Sequence, residues 1–255
     1  MFIYAKLNMN KKWFPILCYH RVCPPDEKGV DSPSLCVSPK QFKRQIALLK
    51  FLGYRAITVQ ELTAYLEERK NPPGKTALIT FDDGYQDNYL HAFPILKEFA
   101  FSAAVFIVTN YIGKKNVWDS GSIALLNESQ IDEMQSSGIV FGSHTANHVD
   151  LSKAGANTIK QELEISRKKI EELTSRLDIP FCYPYSRFSE ESKNLVKESG
   201  YVCAFGGDGG SLVQSEDLFN LMRVQVFPST SLFGFWKKLQ PWYPAWMAWQ
   251  KRAKN

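Results

Sequence analysis

Residues 76–85 read Thr-Ala-Leu-Ile-Thr-Phe-Asp-Asp-Gly-Tyr, an apolar run that ends in two adjacent aspartates. A short run of this kind is typical of a buried strand, and Gly84 permits a sharp turn after it. Asp82 and Asp83 repel each other and suit neither a strand nor a core. A divalent metal would resolve this conflict, because one carboxylate could bind the ion while its neighbour stays free as a base.

A second polar segment, residues 144–148, reads His-Thr-Ala-Asn-His. The His-x3-His spacing can present two imidazoles to one point, as on one face of a helical turn. The chain contains only 4 histidines, so two at this spacing are a specific signal. Asp83, His144 and His148 therefore form a candidate metal-ligand set, with Asp82 as the spare carboxylate.

Strand-like and helix-like segments alternate along the chain. Predicted strands cover residues 16–19, 76–81, 102–108, 139–142, 179–183, 201–205 and 222–227. Predicted helices cover residues 38–52, 59–69, 88–99 with a kink at Pro94, 129–136, 157–177 and 189–198. Repeated β-then-α units predict a parallel sheet, either a barrel or a doubly wound sheet. Residues 206–210, Gly-Gly-Asp-Gly-Gly, are predicted to form a flexible loop and lack the ending of a phosphate-binding motif.

The candidate catalytic residues each follow a predicted strand. In a (β/α) barrel the carboxyl ends of the strands converge on one face, so residues distant in sequence meet there. The residues placed in this way are His20, Asp82, Asp83, His144 and Tyr185.

Composition excludes few functions. With 255 residues, 44% of them hydrophobic, the chain can form one barrel or two small domains with a large core. A net charge of +5 weakly favours anionic partners such as phosphates or an anionic membrane surface. No zinc-finger, helix-turn-helix or RNA-binding pattern is present, so nucleic acid is not an expected partner.

The chain has 5 cysteines, an odd number without a Cys-x2-Cys pair. This pattern favours free buried thiols in a reducing compartment, with disulfides as the alternative. The apolar run at residues 13–19 is too short for a secretory signal, and no run approaches the ~18 apolar residues of a transmembrane helix. Together these features predict a cytoplasmic protein, with peripheral attachment to the inner face of the membrane as a variant.

The two polar segments together resemble the polysaccharide deacetylases of carbohydrate esterase family 4, the NodB-homology group. Residues 181–185, Phe-Cys-Tyr-Pro-Tyr, resemble that family's aromatic-proline motif at the rim of the active site. Residues 16–22, Ile-Leu-Cys-Tyr-His-Arg-Val, resemble the N-terminal strand of a subgroup that deacetylates poly-N-acetylglucosamine-like glycans. The resemblance implies a distorted, seven-stranded, TIM-like (β/α) barrel. We expect residues 1–228 to form this catalytic domain and residues 229–255 to form a distinct tail.

The resemblance and the residue chemistry imply the same metal centre. Asp83, His144 and His148 would hold a divalent ion, zinc first, with cobalt, nickel or manganese as alternatives. Asp82 would be the general base that takes a proton from water. The metal and the backbone N–H of Tyr185 would stabilise the oxyanion.

The general acid is the less obvious position. Amide cleavage needs an acid, because the amine leaves only when it is protonated. No histidine follows His148, and His20 matches the acid of the poly-N-acetylglucosamine subgroup. We therefore assign the acid role to His20; a buried histidine bonded to a backbone carbonyl is the alternative.

The sequence departs from the family at Cys182, where an arginine would orient the base. Arg187 and Arg223 are the candidates to replace it, and Arg223 is favoured because a charge beside a strand usually has a partner. The candidates for contact with a sugar ring, with ordinary core packing as the alternative, are Tyr183, Pro184, Tyr185 and Trp118.

Residues 229–255 contain four of the six tryptophans. Trp242, Trp246 and Trp249 follow i, i+4, i+7 spacing, and lysines and arginines surround them. This pattern suits the interface of a membrane with water, while packing on the barrel is the alternative. A short helix is expected to begin near Pro244. A tail bound to a membrane would make a lipid-linked oligosaccharide a candidate substrate.

The leading prediction is a metal-dependent N-deacetylase of a glycan, or glycan precursor, that contains N-acetylhexosamine. An O-acetyl esterase would use the same groups. A non-catalytic glycan- or membrane-binding module would be expected to have lost Asp82 or a metal ligand, and neither is missing. A structural metal site would need a fourth protein ligand, for which Cys182 is the nearby candidate.

Overall fold

A computed structural model describes residues 14–24, 35–68, 74–119, 122–208 and 217–253 of the protein. Strands and helices alternate along these residues, as the sequence predicts. The strands are β1 (Ile16–Tyr19), β2 (Arg21–Val22), β3 (Cys36–Val37), β4 (Tyr54–Ala56), β5 (Lys75–Phe81), β6 (Ala104–Ile107), β7 (Val140–Ser143), β8 (Phe181–Cys182), β9 (Ala204–Asp208) and β10 (Leu221–Gln225). The helices are α1 (Pro39–Phe51), α2 (Val59–Glu67), α3 (Phe93–Phe99), α4 (Glu128–Ser136), α5 (Ala156–Thr174), α6 (Glu190–Glu198), α7 (Leu232–Lys238) and α8 (Tyr243–Ala253).

Within the described residues, seven parallel strands close into a barrel. The ladder runs from β5 through β6, β7, β8 and β9 to β10, and β1 pairs with both β10 and β5 to complete the circle. β4 extends β5 on the outside, while β2 and β3 form a separate pair. This closure confirms the predicted barrel and excludes the doubly wound alternative.

Several helices begin at a residue whose side chain caps the first turn. Ser38 accepts a hydrogen bond from the backbone of Gln41, and Pro39 occupies the first turn of α1, where its missing N–H has no cost. Capping boxes begin the helices that follow Thr58, Asn127 and Ser189.

Side chains of the strands alternate between two cores. Inside the barrel lie residues such as Ile16, Leu78 and Phe106, which pack together. Their neighbours in sequence, such as Leu17 and Ile79, face outward and pack under the helices. By this alternation Asp82 continues the inward row of β5.

Three predicted elements differ from the structure. α5 ends at Thr174 because Ser175 adopts a left-handed conformation, so Leu177 lies outside the helix and is exposed. The predicted helix 88–99 is a π-helical turn, Asn88–Ala92, followed by α3, with Pro94 in the first turn. The predicted loop at 206–210 is wrong for Gly206 and Gly207, which belong to β9; Gly209 and Gly210 lie outside the described residues.

The prediction of free thiols is wrong for one pair of cysteines. Cys23 and Cys36 form a disulfide with their Cα atoms 5.7 Å apart, because β2 and β3 run side by side. Cys18, Cys182 and Cys203 are free and buried, as predicted.

The tail forms two helices that follow the last strand. Near the start of α7, Gln41 donates a hydrogen bond to the carbonyl of Thr230 (2.7 Å); just after its end, Tyr54 donates one to Leu239 (3.2 Å). α7 therefore runs beside α1 from the carboxyl ends of the strands to their amino ends. α8 begins one residue before Pro244, close to the prediction, whereas α7 was not predicted. None of the helices described has the length and apolar character needed to cross a bilayer.

Candidate active site

The carboxyl ends of five barrel strands bring together the predicted catalytic residues. His20 follows β1, the two aspartates follow β5, the two histidines follow β7 and Tyr185 follows β8, while Arg223 projects from β10. Each of these side chains has different hydrogen-bond partners, and the contrast is greatest between the two aspartates.

Asp82 faces the barrel interior and forms a bidentate ion pair with Arg223. Nη1 of the arginine lies 2.6 Å from Oδ1, and Nη2 lies 2.7 Å from Oδ2. Burial alone would raise the pKa of Asp82, but the charge and hydrogen bonds of Arg223 outweigh it and hold the pKa well below its usual range. Asp82 is therefore ionised at neutral pH.

Arg223 occupies the space that the small side chain of Cys182 leaves open. Its Nη2 lies 3.1 Å from the sulfur of Cys182, and its Nη1 donates to the hydroxyl of Thr80 at 3.2 Å. Arg187, the other candidate, is exposed and lies 3.4 Å from Asp150. The guanidinium that orients the base thus comes from β10.

Two thiols complete the surroundings of Asp82. Cys18 donates to Oδ2 at 3.5 Å and Cys182 donates to Oδ1 at 3.6 Å. Burial raises the pKa of both cysteines, so they remain protonated donors.

Asp83 leaves the strand pattern with a φ of 70° and faces two imidazoles. Its Oδ1 lies 3.2 Å from Nε2 of His148 and 3.5 Å from Nε2 of His144, and all three residues are buried. Burial alone would raise the pKa of Asp83, but the hydrogen bond and charge of His148 outweigh it and lower the pKa.

This trio fits a divalent metal. Its ligand atoms lie within 4.8 Å of one another. Nδ1 of His144 is 2.8 Å from the carbonyl of Cys182, which turns Nε2 toward Asp83. Burial lowers the pKa of His144 to about 4, so the ring is neutral at pH 7, as a metal ligand must be. A second trio, Asp82 with His144 and Cys182, is equally close, but the cation of Arg223 already neutralises it.

The loop that carries the histidines is irregular, so the expected helical turn is wrong. Thr145 and His148 both adopt left-handed conformations, with φ of 67° and 61°. Such residues cost about 1 kcal/mol or more each and persist only where surrounding contacts fix them. Here the buried carboxylate of Glu162 on α5 accepts from the backbone N–H groups of Ala146 (2.9 Å) and Asn147 (2.8 Å).

Two glycines allow the strands beneath the site to approach closely. Gly84 has a φ of 70°, and a Cβ there would lie 2.8 Å from Cγ2 of Ile107. A Cβ at Gly142 would lie 2.7 Å from both the ring of Phe106 and the carbonyl oxygen of Pro180. A side chain at either position would displace the strand ends that carry the metal-binding set.

His20 lies above Asp82, with Nε2 3.9 Å from Oδ2. It is partly exposed, and Asn88 donates a hydrogen bond to its carbonyl at 2.8 Å. The next residue, Arg21, forms a buried ion pair with Asp87 at 2.6 Å. These contacts fix the backbone of His20 and leave its ring available to a substrate.

Aromatic side chains form the rim. The ring of Trp118 stacks on His148 at 4.5 Å, and Tyr185, half exposed, meets the same imidazole edge-on at 4.6 Å. Tyr183 is fully buried and donates a hydrogen bond to the carbonyl of Phe219, and Pro184 is also buried. Of the predicted sugar-contacting residues, Trp118 and Tyr185 therefore lie at the site, whereas Tyr183 belongs to the core.

A family model described as polysaccharide deacetylase matches residues 69–204, more than half of the chain. The chain belongs to the polysaccharide deacetylase family. YxkH of Bacillus subtilis strain 168, named after the same family, is 32% identical over 222 residues, which cover 86% of this chain and 74% of that protein. The poly-beta-1,6-N-acetyl-D-glucosamine N-deacetylase of Staphylococcus epidermidis is 26% identical over 239 residues, or 87% of this chain and 81% of that protein.

Solved structures of deacetylases share the fold. The deacetylase PplD of Streptococcus pyogenes, solved with acetate, superposes with a TM-score of 0.81 at 26% identity. The match covers 90% of this chain and 99% of the PplD chain. IcaB from Ammonifex degensii superposes with a TM-score of 0.76 at 27% identity, and the match covers 88% of this chain and 95% of IcaB. These similarities confirm the predicted NodB-type barrel.

Two residues that support the site of this deacetylase-family protein, Glu162 and Cys18, were not predicted from the sequence. Glu162 lies on the buried stripe of α5, three residues after Ile159 and beside Leu163. A charge in such a stripe has a buried partner as a rule, so this signal was available. Cys18 gave no comparable signal, because a small apolar residue in a strand predicts only packing.

Proposed function

We propose that this protein is a metal-dependent hydrolase that removes N-acetyl groups from N-acetylhexosamine residues of a glycan. The observation that carries the proposal is the division between two adjacent aspartates, one held by Arg223 and one facing two histidines. A metal set and a separate ionised base, both at the open end of a barrel, suit hydrolysis of an acyl group. Relatives named as poly-beta-1,6-N-acetyl-D-glucosamine deacetylases support the substrate class.

Asp83, His144 and His148 would hold the metal, with zinc expected first and cobalt, nickel or manganese as alternatives. A bound divalent ion supplies Lewis-acid polarisation of the acetamide carbonyl. The protein thus supplies three ligands. The thiol of Cys182, the candidate for a fourth, contacts Arg223 and Asp82. A structural site closed by a cysteine is therefore not favoured.

The proton transfers fall to Asp82 and His20. Asp82 accepts a proton from the attacking water, and Arg223 keeps the carboxylate ionised and oriented for that step. His20, whose ring is partly exposed beside Asp82, donates a proton to the departing amine nitrogen. The backbone N–H of Tyr185 donates a hydrogen bond to the oxygen that becomes negative.

Acetate release tests the proposal. Purified protein is incubated with poly-β-1,6-linked N-acetylglucosamine oligosaccharides, with zinc or with a chelator. We expect release that the chelator abolishes and that Asp82→Asn and His20→Ala lose, while Asp132→Asn, an exposed carboxylate on α4, retains it. Chelator-resistant release, or full activity of Asp82→Asn, would contradict the mechanism.

An O-acetyl esterase would use the same groups, and His20 separates the two activities. An ester expels an alcohol, which needs less acid help than an amine. We expect His20→Ala to lose amide cleavage far more than ester cleavage on matched N- and O-acetylated sugars. Equal losses on both substrates would remove His20 from the acid role.

The location of the protein is the remaining part of the proposal. The cytoplasmic location stays a prediction, and the Cys23–Cys36 disulfide weighs against it, because disulfides persist mainly in oxidising compartments. Peripheral membrane contact through residues 229–255 and a lipid-linked glycan substrate are also proposed. Rapid alkylation of intact cells followed by mass spectrometry would report whether Cys23 and Cys36 are bonded where the protein works.

A further inference from the structure

The outer surface of α7 and α8 is a continuous patch of aromatic rings and lysines, named here the hairpin surface. Phe233 stacks on Trp236 at 5.6 Å, and Nζ of Lys237 lies 5.2 Å from the rings of both Phe233 and Trp246. Trp246 in turn meets Trp242 at 6.5 Å. The hairpin surface comprises Phe233, Trp236, Lys237, Trp242, Trp246 and Trp249.

Much of this aromatic area faces solvent. Phe233 is 66% exposed, Trp249 65% and Trp242 41%, whereas Tyr243 and Pro244 anchor the start of α8 in the protein. Scattered apolar residues on a surface are ordinary, but a contiguous aromatic patch marks an interaction site. We therefore expect the hairpin surface to bind a partner.

The corner between α7 and α8 lies at the end of the barrel opposite the active site. The carbonyl of Leu239 accepts a hydrogen bond from the hydroxyl of Tyr54 at the start of β4. Nearby, the side chain of Lys75, the first residue of β5, donates a hydrogen bond to the carbonyl of Leu52. The other end of β5 leads into Asp82. A seven-residue strand spans ~20 Å, so the corner and the catalytic base are separated by at least the depth of the barrel.

Positive charge and another exposed aromatic ring accompany the corner. Phe51, at the end of α1, is 86% exposed, and Lys50, Lys75 and Lys97 at the same ends of their elements are exposed as well. Three glutamates lie at this end as well: Glu98, which is paired with Lys43 at 2.8 Å, and the exposed Glu67 and Glu68 at the end of α2. Aromatic rings among lysines match the headgroup region of an anionic bilayer.

We propose that the hairpin surface and Phe51 dock the protein onto an anionic lipid membrane, so that the flank of the barrel that α7 and α8 cover, rather than the mouth of the active site, faces the bilayer. α7 and α8 would lie in the interface, since α8 has only 11 residues and no described helix can span a bilayer. Tryptophan and phenylalanine rings enter the headgroup layer, and the lysines contact lipid phosphates. The docking does not depend on the proposed activity.

Vesicle flotation tests the docking. Full-length protein is mixed with phosphatidylglycerol vesicles or with neutral phosphatidylcholine vesicles, at low and high salt. We expect binding to the anionic vesicles that salt weakens, and at least tenfold weaker binding for Trp242→Ser/Trp249→Ser, since two exposed rings no longer enter the headgroup layer and a tenfold loss corresponds to only ~1.4 kcal/mol. Ile165→Ser, a change at an exposed apolar residue on α5, is the matched control and should bind like the unaltered protein.

Several results would overturn the inference. These are the absence of binding to anionic vesicles, equal loss in the control, or a concentration-dependent dimer that the tryptophan changes abolish, which would make a second copy the partner. Acetate release from a soluble oligosaccharide should continue on vesicles, and its loss there would contradict docking through a surface outside the active site. If the protein in solution releases no acetate, the proposed function fails while the flotation result stands.

Discussion

Asp82 and Asp83 are neighbours of the same residue type, and both are buried, yet the groups that bond to their carboxylates differ. The pleat of β5 sends Asp82 into the barrel, where a guanidinium and two thiols surround it. Asp83 turns away with a positive φ and meets two imidazoles from the loop after β7. Two adjacent carboxylates therefore have different roles. The protein itself neutralises the charge of Asp82, whereas the charge of Asp83 is available to a metal ion.

The difference teaches how a barrel divides chemical roles. The charge of Asp82 has a permanent cation as its partner, so it is complete in the folded protein. The partners of Asp83 are imidazole rings rather than a permanent cation, and the pKa of His144 is lowered by burial to about 4, so this carboxylate is a ligand that suits a bound ion. The backbone at the end of β5 points the two carboxylates apart, and residues from β10 and from the loop after β7 supply the partners of each.

The largest expected effect comes from removing each carboxylate separately. Asp83→Asn should lose both the metal and the activity, whereas Asp82→Asn should lose the activity, by about 10²–10⁴-fold, and keep the metal. Metal content by elemental analysis, beside acetate release, separates the two. Loss of the metal from Asp82→Asn would show that the two aspartates share one role.

The second prediction concerns the partner of Asp82. Arg223→Leu leaves a buried carboxylate without its cation, and we expect a loss of about 3–5 kcal/mol in the free energy of unfolding. Urea denaturation measures it. In Arg223→Leu/Asp82→Asn the charge is gone as well, so most of the stability should return. A double variant as unstable as the single one would mean that Arg223 acts through packing alone.

The third prediction concerns how the stability of the metal-free protein depends on pH, which reports on the histidines around Asp83. Burial lowers the pKa of His144 to about 4 from its usual 6.5, so the unfolded chain binds a proton in this range that the folded protein does not. The metal-free protein should therefore lose about 3 kcal/mol of stability as the pH falls from 6.5 to 4. The lowered pKa values of Asp82 and Asp83 act only at lower pH, so they do not contribute to this interval.

The control for this experiment is His91→Gln, in the π-helical turn, which should keep the pH dependence. His144→Gln should flatten it. An unchanged slope in His144→Gln would assign the proton to another group and remove the basis for a neutral, metal-ready ring.

The smallest effect is expected at the thiols. Cys18→Ala removes one weak donor from Asp82, and we expect a change of about 1 kcal/mol, or about fivefold in kcat. Cys18→Ser keeps a donor and should recover most of it, while Cys203→Ala, a buried thiol outside the site, should leave kcat unchanged. Identical kcat values for the alanine and serine variants would exclude a role for the donated hydrogen bond.

The sequence was sufficient to predict the catalytic end of the molecule. Apolar strands followed directly by Asp82, Asp83 and His144 predict a shared edge, since carboxyl ends of parallel strands converge. The alternation of strands and helices alone did not choose between a barrel and an open sheet, and only the resemblance to the polysaccharide deacetylases implied the barrel. That choice depends on the pairing of β1 with β5, a contact between distant segments that leaves no local pattern.

Other features depend on register and on backbone conformation. Arg223 was favoured over Arg187, but its bidentate contact follows from facing inward on β10, which needs the strand's exact position. The left-handed residues in the histidine loop are stabilised by Glu162, so the spacing alone suggested a helical turn instead. The Cys23–Cys36 disulfide follows from the pairing of β2 with β3, two strands of two residues each that were not predicted.

The position of Arg223 in the last barrel strand also has a consequence for synthesis of the chain. The ribosome releases β5 and its aspartate long before β10, which must enter between β9 and β1 to close the circle. Before β10 is in place Asp82 has no cation, so enclosing its carboxylate in the barrel would be unfavourable. We therefore expect the last strand to supply both the closing hydrogen bonds and the charge that makes closure favourable, and a chain that ends before residue 221 to form no closed barrel.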